Sequence, residues 1–280
     1  MNNNSENVPS PPPSGPMLAI DTSTASMTMS LTDGAALLGE RTAHAERNHS
    51  VRLLPELDAL MREAGVRPRD LRAVAVGCGP GSYTGVRIGV TTAKTFAWAL
   101  GLPVYAVSSL EAQAYGGWRD VAAAGGAARA PAWIVPALDA RRGQAYTALF
   151  AADAAPEDER EAGGFAAWRR LEPDRVLPFR AQVERWLSAE ARPASIVFLG
   201  DVEGGFAELI DAAAAGSQTV VLRRPWAVAA RDIAAIARRN GGLGLVREPH
   251  DLLPNYAQLA EAEAKLAAAE AEAAKEREQG

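Results

Sequence analysis

Two aspartates stand where a carboxylate could do chemistry. Asp21 ends the apolar run Met17-Leu18-Ala19-Ile20, and Asp139 ends the run Trp133-Ile134-Val135-Pro136-Ala137-Leu138. A polar turn follows each, Thr22-Ser23-Thr24 in the first case and Ala140 to Gly143 in the second. Carboxylates at the ends of strands can organise magnesium around a nucleotide phosphate. They can equally accept hydrogen bonds from the turn that follows them. Asp21 with its neighbours Thr22 and Ser23, and Asp139, are therefore the positions at which a site could form. The other reactive side chains offer less. The three histidines are His44, His49 and His250; the first two are five residues apart, a poor spacing for one helical face, and the third stands alone in a C-terminal loop. The single cysteine is Cys78. No His/Cys/carboxylate group has metal-ligand spacing, so no metal site is expected. Tyr83, Thr84 and Arg87 supply no base-and-nucleophile set, so no catalytic residue is assigned.

The segment Gly77-Cys-Gly-Pro-Gly-Ser-Tyr-Thr-Gly-Val-Arg-Ile-Gly89 follows an apolar strand, Leu71 to Val76, and leads into a helix. Free amides at a helix start favour an anion, which suggests a phosphate loop. The segment lacks the Gly-Lys-Ser/Thr ending of a P-loop and the spacing of a dinucleotide fingerprint, and Lys94 lies too far along the helix to stand in. A purely structural turn explains the glycines equally well.

The elements that must position these residues are legible from periodicity. Met27, Met29 and Leu31 alternate with Thr28, Ser30 and Thr32, which predicts a strand with one buried face. Asp33-Gly34 signals a hairpin, with Ala35 to Glu40 returning. Leu53, Leu54, Leu57, Leu60, Met61 and Ala64 recur at helical spacing after a cap at Asn48 or Ser50, and Gly65 stops the helix. Pro55 bends this helix unless it starts close before it. A second helix runs from about Thr84 to Leu100, then a strand at Val104 to Val107. The order strand, Asp, polar turn, strand occurs at Asp21–Leu31 and again at Asp139–Leu149, which reads as an internal duplication opening two similar α/β units. Trp168 and Trp186 are expected on helices, Ile196 to Leu199 on a strand, and Ala227 to Arg239 on an amphipathic helix closed by Asn240-Gly241-Gly242.

One face of the second helix carries Gly85, Gly89, Ala93 and Ala97, every fourth residue. Glycine inside a helix costs about 1 kcal/mol relative to alanine, so a side-chain-poor stripe implies close approach of another backbone. Packing on the chain's own sheet is one explanation. A subunit interface is the other, made by Gly85, Val86, Gly89, Val90, Ala93 and Ala97 with Leu53, Leu54, Leu57 and Met61 of the preceding helix.

Composition sets the frame. The 280 residues are 48% apolar with a net charge of -5. One cysteine makes no internal disulfide, which suits a reducing compartment. No apolar run reaches the roughly 18 residues of a membrane span. The start, MNNNSENVPSPPPSGP, lacks a basic region followed by an apolar one and reads as a disordered tail over 1–16. Acidic balance argues against autonomous RNA binding. A cytoplasmic protein is expected.

LAIDTST near the start, His49 to Pro55 (HSVRLLP) and GPGSYTGVRIG together closely resemble the bacterial TsaB family, also called YeaZ, and LDARRGQAY at Leu138 to Tyr146 looks like that family's second-domain opening. The likeness is dense over 17–115, recurs at 133–150 and fades afterwards. Near the end, Pro254-Asn255-Tyr256 keeps part of a family pattern, but Ala257 and Gln258 stand where a basic residue is usual. The resemblance implies an α/β fold of the actin/Hsp70/sugar-kinase kind, built from two RNase H-like domains: 17–110 plus about 227–246, and 111–226, followed by a partly helical tail over 247–280. It implies a cytoplasmic, non-catalytic dimerisation subunit in the threonylcarbamoyl modification of tRNA adenosine. The implied partners are the metal-bearing transferase TsaD and the ATPase TsaE, with tRNA reached only through the complex; a homodimer in isolation is possible, and the sequence does not decide it. The family's pairing surface lies on the first-domain helices, here 49–64 and 85–100. No cofactor is required on this reading, though the interdomain cleft leaves room for weak ATP or ADP binding. Actin-like ATPases place magnesium-organising carboxylates where Asp21 and Asp139 fall, which makes Asp21, Thr22, Ser23 and Asp139 the candidate nucleotide-binding residues and a kinase-like ATP-dependent enzyme the rival. A glycoprotease-like peptidase of the M22 type is another.

Overall fold

The computed structural model describes residues 12–44, 49–124, 131–152, 168–240 and 243–257. Residues 1–11 of the tail expected over 1–16, the candidate cap Asn48, Gly241-Gly242 and the helix-prone end 258–280 lie outside them; Pro16, the last residue of that expected tail, opens the first strand.

The first half runs β1 (Pro16–Asp21), β2 (Ser26–Asp33), β3 (Ala36–His44), α1 (His49–Glu63), β4 (Ala73–Gly77), α2 (Tyr83–Leu100), β5 (Val104–Val107) and α3 (Ser109–Ala123). The second runs β6 (Ala132–Asp139), β7 (Gln144–Ala152), β8 (Trp168–Pro178), α4 (Phe179–Ser188), β9 (Ser195–Gly200), α5 (Gly204–Ala214), β10 (Val220–Arg224) and α6 (Ala230–Arg239). A short β11 (Leu245–Val246) then returns to pair with β5.

The two sheets repeat one design. The first has the order β11-β5-β4-β1-β2-β3 and the second β10-β9-β6-β7-β8. β1 pairs antiparallel with β2 and β2 with β3, while β4 and β5 add in parallel on the other side of β1. β6, β7, β8, β9 and β10 reproduce those relations one for one. Each triplet of antiparallel strands is followed by a helix, a parallel strand, a helix, a parallel strand and a helix. This is the RNase H-like arrangement of the actin-type α/β fold, and the duplication seen in the sequence is structural.

Both faces of each sheet are covered, which is why the central strands read as unbroken apolar runs. Leu18 and Ile20 face Leu53, Leu57 and Leu60 of α1 and Ile88 and Phe96 of α2. Met17 and Ala19 face α3 and Ile233, Ile236 and Ala237 of α6. In the second sheet Ile134, Phe150 and Leu199 face Leu110, Ala114 and Trp118 of α3. Val135, Leu149 and Phe198 face Phe179, Val183 and Trp186 of α4 and Ile210 of α5. Helix α3 thus contributes to two cores and is buried along 109–118.

Some local expectations change. Pro55 lies well inside α1, which begins at His49. Trp168 opens β8 rather than a helix, stacking on Phe150 at 5.0 Å between ring centroids and meeting Tyr115 edge-on at 5.5 Å. β8 is an edge strand rich in charge, so the apolar alternation that would have marked it is absent. Residues 249–257 are not a loose tail: Leu252 is fully buried against Val86 and Val90.

At the seam between α3 and α6, Asp232 is 1% exposed. Its Oδ1 accepts from Arg119 at 3.4 Å, and Oδ2 has no hydrogen-bond partner. Gly116 is opposite; a Cβ there would lie 2.0 Å from that oxygen. Burial, only partly offset by Arg119 and Arg231 and reinforced by Glu40, pushes the carboxyl from 3.8 up to about 6. The native state therefore holds a proton that the unfolded chain releases at lower pH. The group's contribution to stability is full below pH 3.8 and is lost as pH rises from there through about 6, on the order of 3 kcal/mol in all. Urea unfolding of wild type and Asp232→Asn at pH 4.5 and 7.5 checks this: the wild type should lose stability relative to the variant at the higher pH. An unchanged difference would mean the carboxyl titrates normally.

Candidate functional site

A cleft of about 970 Å³ opens between the two halves. One wall is made by Ser23 to Ser26, His49 and the start of α2 (Ser82 to Gly85); the other by Leu138 to Arg141, Tyr146 and Asp201. Gln113 and Trp226 also line it. Strand register explains the pairing of walls. Asp21 sits opposite Thr28 at the end of β1, and Asp139 sits opposite Ala145 at the equivalent end of β6.

The two aspartates are not equivalent. Asp21 has no solvent exposure. Its Oδ1 accepts from the Ser23 amide at 2.8 Å and the Ser23 hydroxyl at 2.7 Å, and its Oδ2 from the Ser109 hydroxyl at 2.6 Å. Burial raises its pKa, with those hydrogen bonds pulling the other way. Thr22 is also fully buried, donating to the Gly85 carbonyl at 2.7 Å. Asp21 and Thr22 therefore serve their own turn. Ser23 reaches the cleft wall but is itself buried. Asp139 is exposed; its Oδ1 accepts from the Arg141 amide at 2.7 Å, and its own amide donates to Asp201 at 2.8 Å. The turn continues left-handed through Arg141 (φ 67°) and Arg142 (φ 54°). His49 lies buried at the first turn of α1, where desolvation lowers its pKa against the opposing pull of Asp21. Cys78 is buried and pushed up to about 12, which leaves it unreactive. Among the described residues no group of three or more His, Cys, Asp or Glu side chains could hold a metal.

The glycine-rich segment closes around the Asp21 turn. Built at Gly77, a Cβ would fall 1.8 Å from Asp21 Oδ2; at Gly81, 2.2 Å from the Ser23 carbonyl; at Gly85, 2.1 Å from the Thr22 carbonyl; at Gly89, 2.4 Å from Thr22 Oγ1. Ser82 caps α2 by accepting from the Gly85 amide at 3.2 Å, and its own amide donates to the Ser23 carbonyl at 2.7 Å. The structural explanation of these glycines is the one the geometry favours.

The same distances correct the expected interface. Gly85, Val86, Gly89, Val90, Ala93 and Ala97 are all buried against this chain's own strands and loops. Leu53, Leu57 and Met61 are core residues under β1 and β2. Of the ten residues, Leu54 alone points outward, at 58% exposure. The stripe permits close packing within the chain, because the Asp21 turn needs backbone-to-backbone contact. Apart from Leu54, the outer faces of the two helices present a different set. Val51 (72% exposed) and Leu54 share one face of α1; Tyr83, Arg87, Thr91, Thr95 and Trp98 (69% exposed) run along α2. Trp98 was the available sequence signal, a large apolar residue on an otherwise polar face. Arg141, Tyr146 and Asp201 were also missed, since only the fold brings the second wall to the first.

Relatives give the chain its family. A family model described as TsaD, tRNA N6-adenosine threonylcarbamoyltransferase, matches residues 41–172. The Bacillus subtilis protein named tRNA threonylcarbamoyladenosine biosynthesis protein TsaB is 32% identical over 249 residues, covering 89% of this chain and 96% of its own length. The Escherichia coli protein of the same name is 38% identical over 140 residues, 49% of this chain and 55% of its own. A Pseudomonas aeruginosa crystal structure, of a protein described as similar to peptidase YEAZ, superposes with a TM-score of 0.66 at 28% identity over 87% of this chain and all of that one. A full-length relative at that identity, the same two-sheet architecture and the motifs around Asp21, His49 and Gly79 to Gly89 make this chain a member of the TsaB (YeaZ) family.

Proposed function

We propose that this chain is a non-catalytic pairing subunit of the machinery that makes N6-threonylcarbamoyladenosine on tRNA. The involvement follows from the TsaB relatives, which are named for that biosynthesis. The observation that carries the non-catalytic part is the Asp21 carboxylate, which has no exposure and is occupied by donors from Ser23 and Ser109. A carboxylate so enclosed cannot organise magnesium in the cleft without breaking the turn that holds it, and Asp139 is left without a counterpart from the first half.

In this reading the transferase chemistry belongs to the metal-bearing paralogue TsaD, which docks on the outer face of α1 and α2, and the ATPase TsaE joins the pair. In isolation the same face can join two copies of this chain. RNA is engaged only through the assembled complex, and the work is done in the cytoplasm. No helix among the described residues is long and apolar enough to cross a membrane. No nucleotide is needed in the cleft; ATP or ADP there would bind weakly.

Mixing the full-length chain with a TsaD-type transferase and a TsaE-type ATPase should give a stable assembly whose tRNA modification requires this chain. Asp139→Ala should leave that activity within about twofold of wild type. The chain alone should show negligible ATP turnover. A magnesium-dependent rate of about 1 per second, abolished by Asp139→Ala, would overturn the proposal in favour of a kinase-like enzyme.

A further inference from the structure

The segment after β11 ties together parts of the molecule that the sheets leave apart. From the 3-10 turn Pro249–Asp251 it runs along α2, where Lys94 Nζ donates to the His250 carbonyl at 2.8 Å. Leu252 plugs into the core of the first half beside Cys78, Val86 and Val90. The Asn255 amide then donates to the Cys78 carbonyl at 2.7 Å. The Asn255 carbonyl passes so close to Gly79 that a Cβ there would lie 3.2 Å away; Gly79 has φ +93°, a backbone conformation that favours glycine. Tyr256 Oη accepts from Arg87 Nε at 2.7 Å, and its ring packs against Tyr83 at 5.3 Å between centroids. The Arg87 guanidinium lies 3.8 Å over the Tyr83 ring. All of these contacts belong to the first half.

The Asn255 side chain reaches the second half. Its Nδ2 donates to Asp174 Oδ2 on β8 at 2.8 Å. The other oxygen of Asp174 is held by Arg170, which also binds Glu111 on α3 at 2.7 Å. A single residue therefore joins the glycine-rich loop by its backbone to the edge strand of the second sheet by its side chain. The receiving carboxylate is already fixed to the central helix. This link is separate from the α3–α6 seam, where Arg119 and Asp232 meet.

We infer that residues 249–257 form a clasp that sets the angle between the two halves, and with it the width of the cleft. The elements it grips bear on both walls. Asp174 sits on β8, which pairs with β7 next to the Asp139 turn, and Cys78 opens the loop whose far end, Ser82 to Gly85, lines the opposite wall. The hydrogen bond to a charged acceptor is of the stronger kind, and its alternative on opening is hydration of both partners, so the clasp can release without unfolding either sheet.

Hydrogen–deuterium exchange on the full-length chain tests this. In Asn255→Ala, backbone amides of β8 and of residues 77–82 should exchange about tenfold faster, while the sheet cores and α3 keep wild-type rates. Asn255→Asp should do more, because it sets a second carboxylate against Asp174. Adding Asp174→Asn to Asn255→Asp should bring β8 exchange back towards wild type, since the amide and carboxylate have changed places; a merely local packing role would show no such rescue. If Asn255→Ala loosens residues 249–257 alone and β8 exchanges at the wild-type rate, or if the exchanged pair gives no rescue, the clasp is rejected.

Discussion

Gly85→Ala is expected to lower the melting temperature by on the order of 10 °C, although alanine is the better helix former by about 1 kcal/mol. The new methyl would sit 2.1 Å from the Thr22 carbonyl oxygen, a backbone atom with nowhere to go. It would also push apart the Thr22 hydroxyl and the Gly85 carbonyl, which are hydrogen-bonded at 2.7 Å. Overpacking of this sort costs roughly 1–3 kcal/mol, and more where backbone must move. Gly205→Ala is the matched control: that glycine is also helical, in α5, and a Cβ there meets nothing within 4 Å. It should be neutral or slightly stabilising. Gly89→Leu should resemble Gly85→Ala, because its first carbon already falls 2.4 Å from Thr22 Oγ1. Any loss of partner binding in that variant would come from loss of fold. Thermal unfolding by circular dichroism separates the cases, and a Gly85→Ala protein melting with the wild type would show that α2 can lift off the Asp21 turn.

Trp98→Glu and Leu54→Glu should weaken association with the TsaD-type partner by roughly 100-fold each while leaving the melting temperature within a few degrees. Both side chains are mostly exposed, so their replacement removes little from the monomer's core. Tryptophan and large aliphatic anchors buried at the centre of an interface commonly account for 2 kcal/mol or more of binding. Leu37→Glu replaces an exposed apolar residue that is on the edge strand β3 rather than on either helix, and should bind as wild type. Titration calorimetry or biolayer interferometry with the purified partner gives the comparison. Wild-type affinity in Trp98→Glu and Leu54→Glu would move the docking surface elsewhere on the chain. The pair of results also separates two ideas that the sequence had joined: a buried stripe that serves folding, and an outer face on which the proposed pairing can be tested.

Much of the architecture was legible because it rests on local pattern. The strand at Met17–Ile20, the alternation from Met27 to Thr32, the helix expected after a cap at Asn48 or Ser50 and before Gly65, and the helix from about Thr84 to Leu100 all follow from burial period and stop signals, and each is found within a residue or two. The repeat of strand, aspartate, turn and strand was visible too, and the matching strand orders bear it out. β8 was not visible. Its partners hold it in the sheet by backbone hydrogen bonds, and its side chains form ion pairs such as Arg170 with Glu111 and Arg185 with Glu172, so it never shows an apolar period.

The candidate site divides along the same line. Local pattern says which residues must be small, which turns carry an aspartate and which helix needs a close neighbour, because those demands arise within a few residues of backbone. What the neighbour is emerges from the folded chain. Glycine spacing states that a backbone approaches but carries no information on whose backbone it is; here it belongs to Thr22, more than sixty residues away in the chain. The fates of Asp21 and Asp139 were likewise out of reach, since identical placement at a strand end gives an enclosed carboxylate in one half and an open one in the other, according to whether a hydroxyl such as that of Ser109 is folded over it.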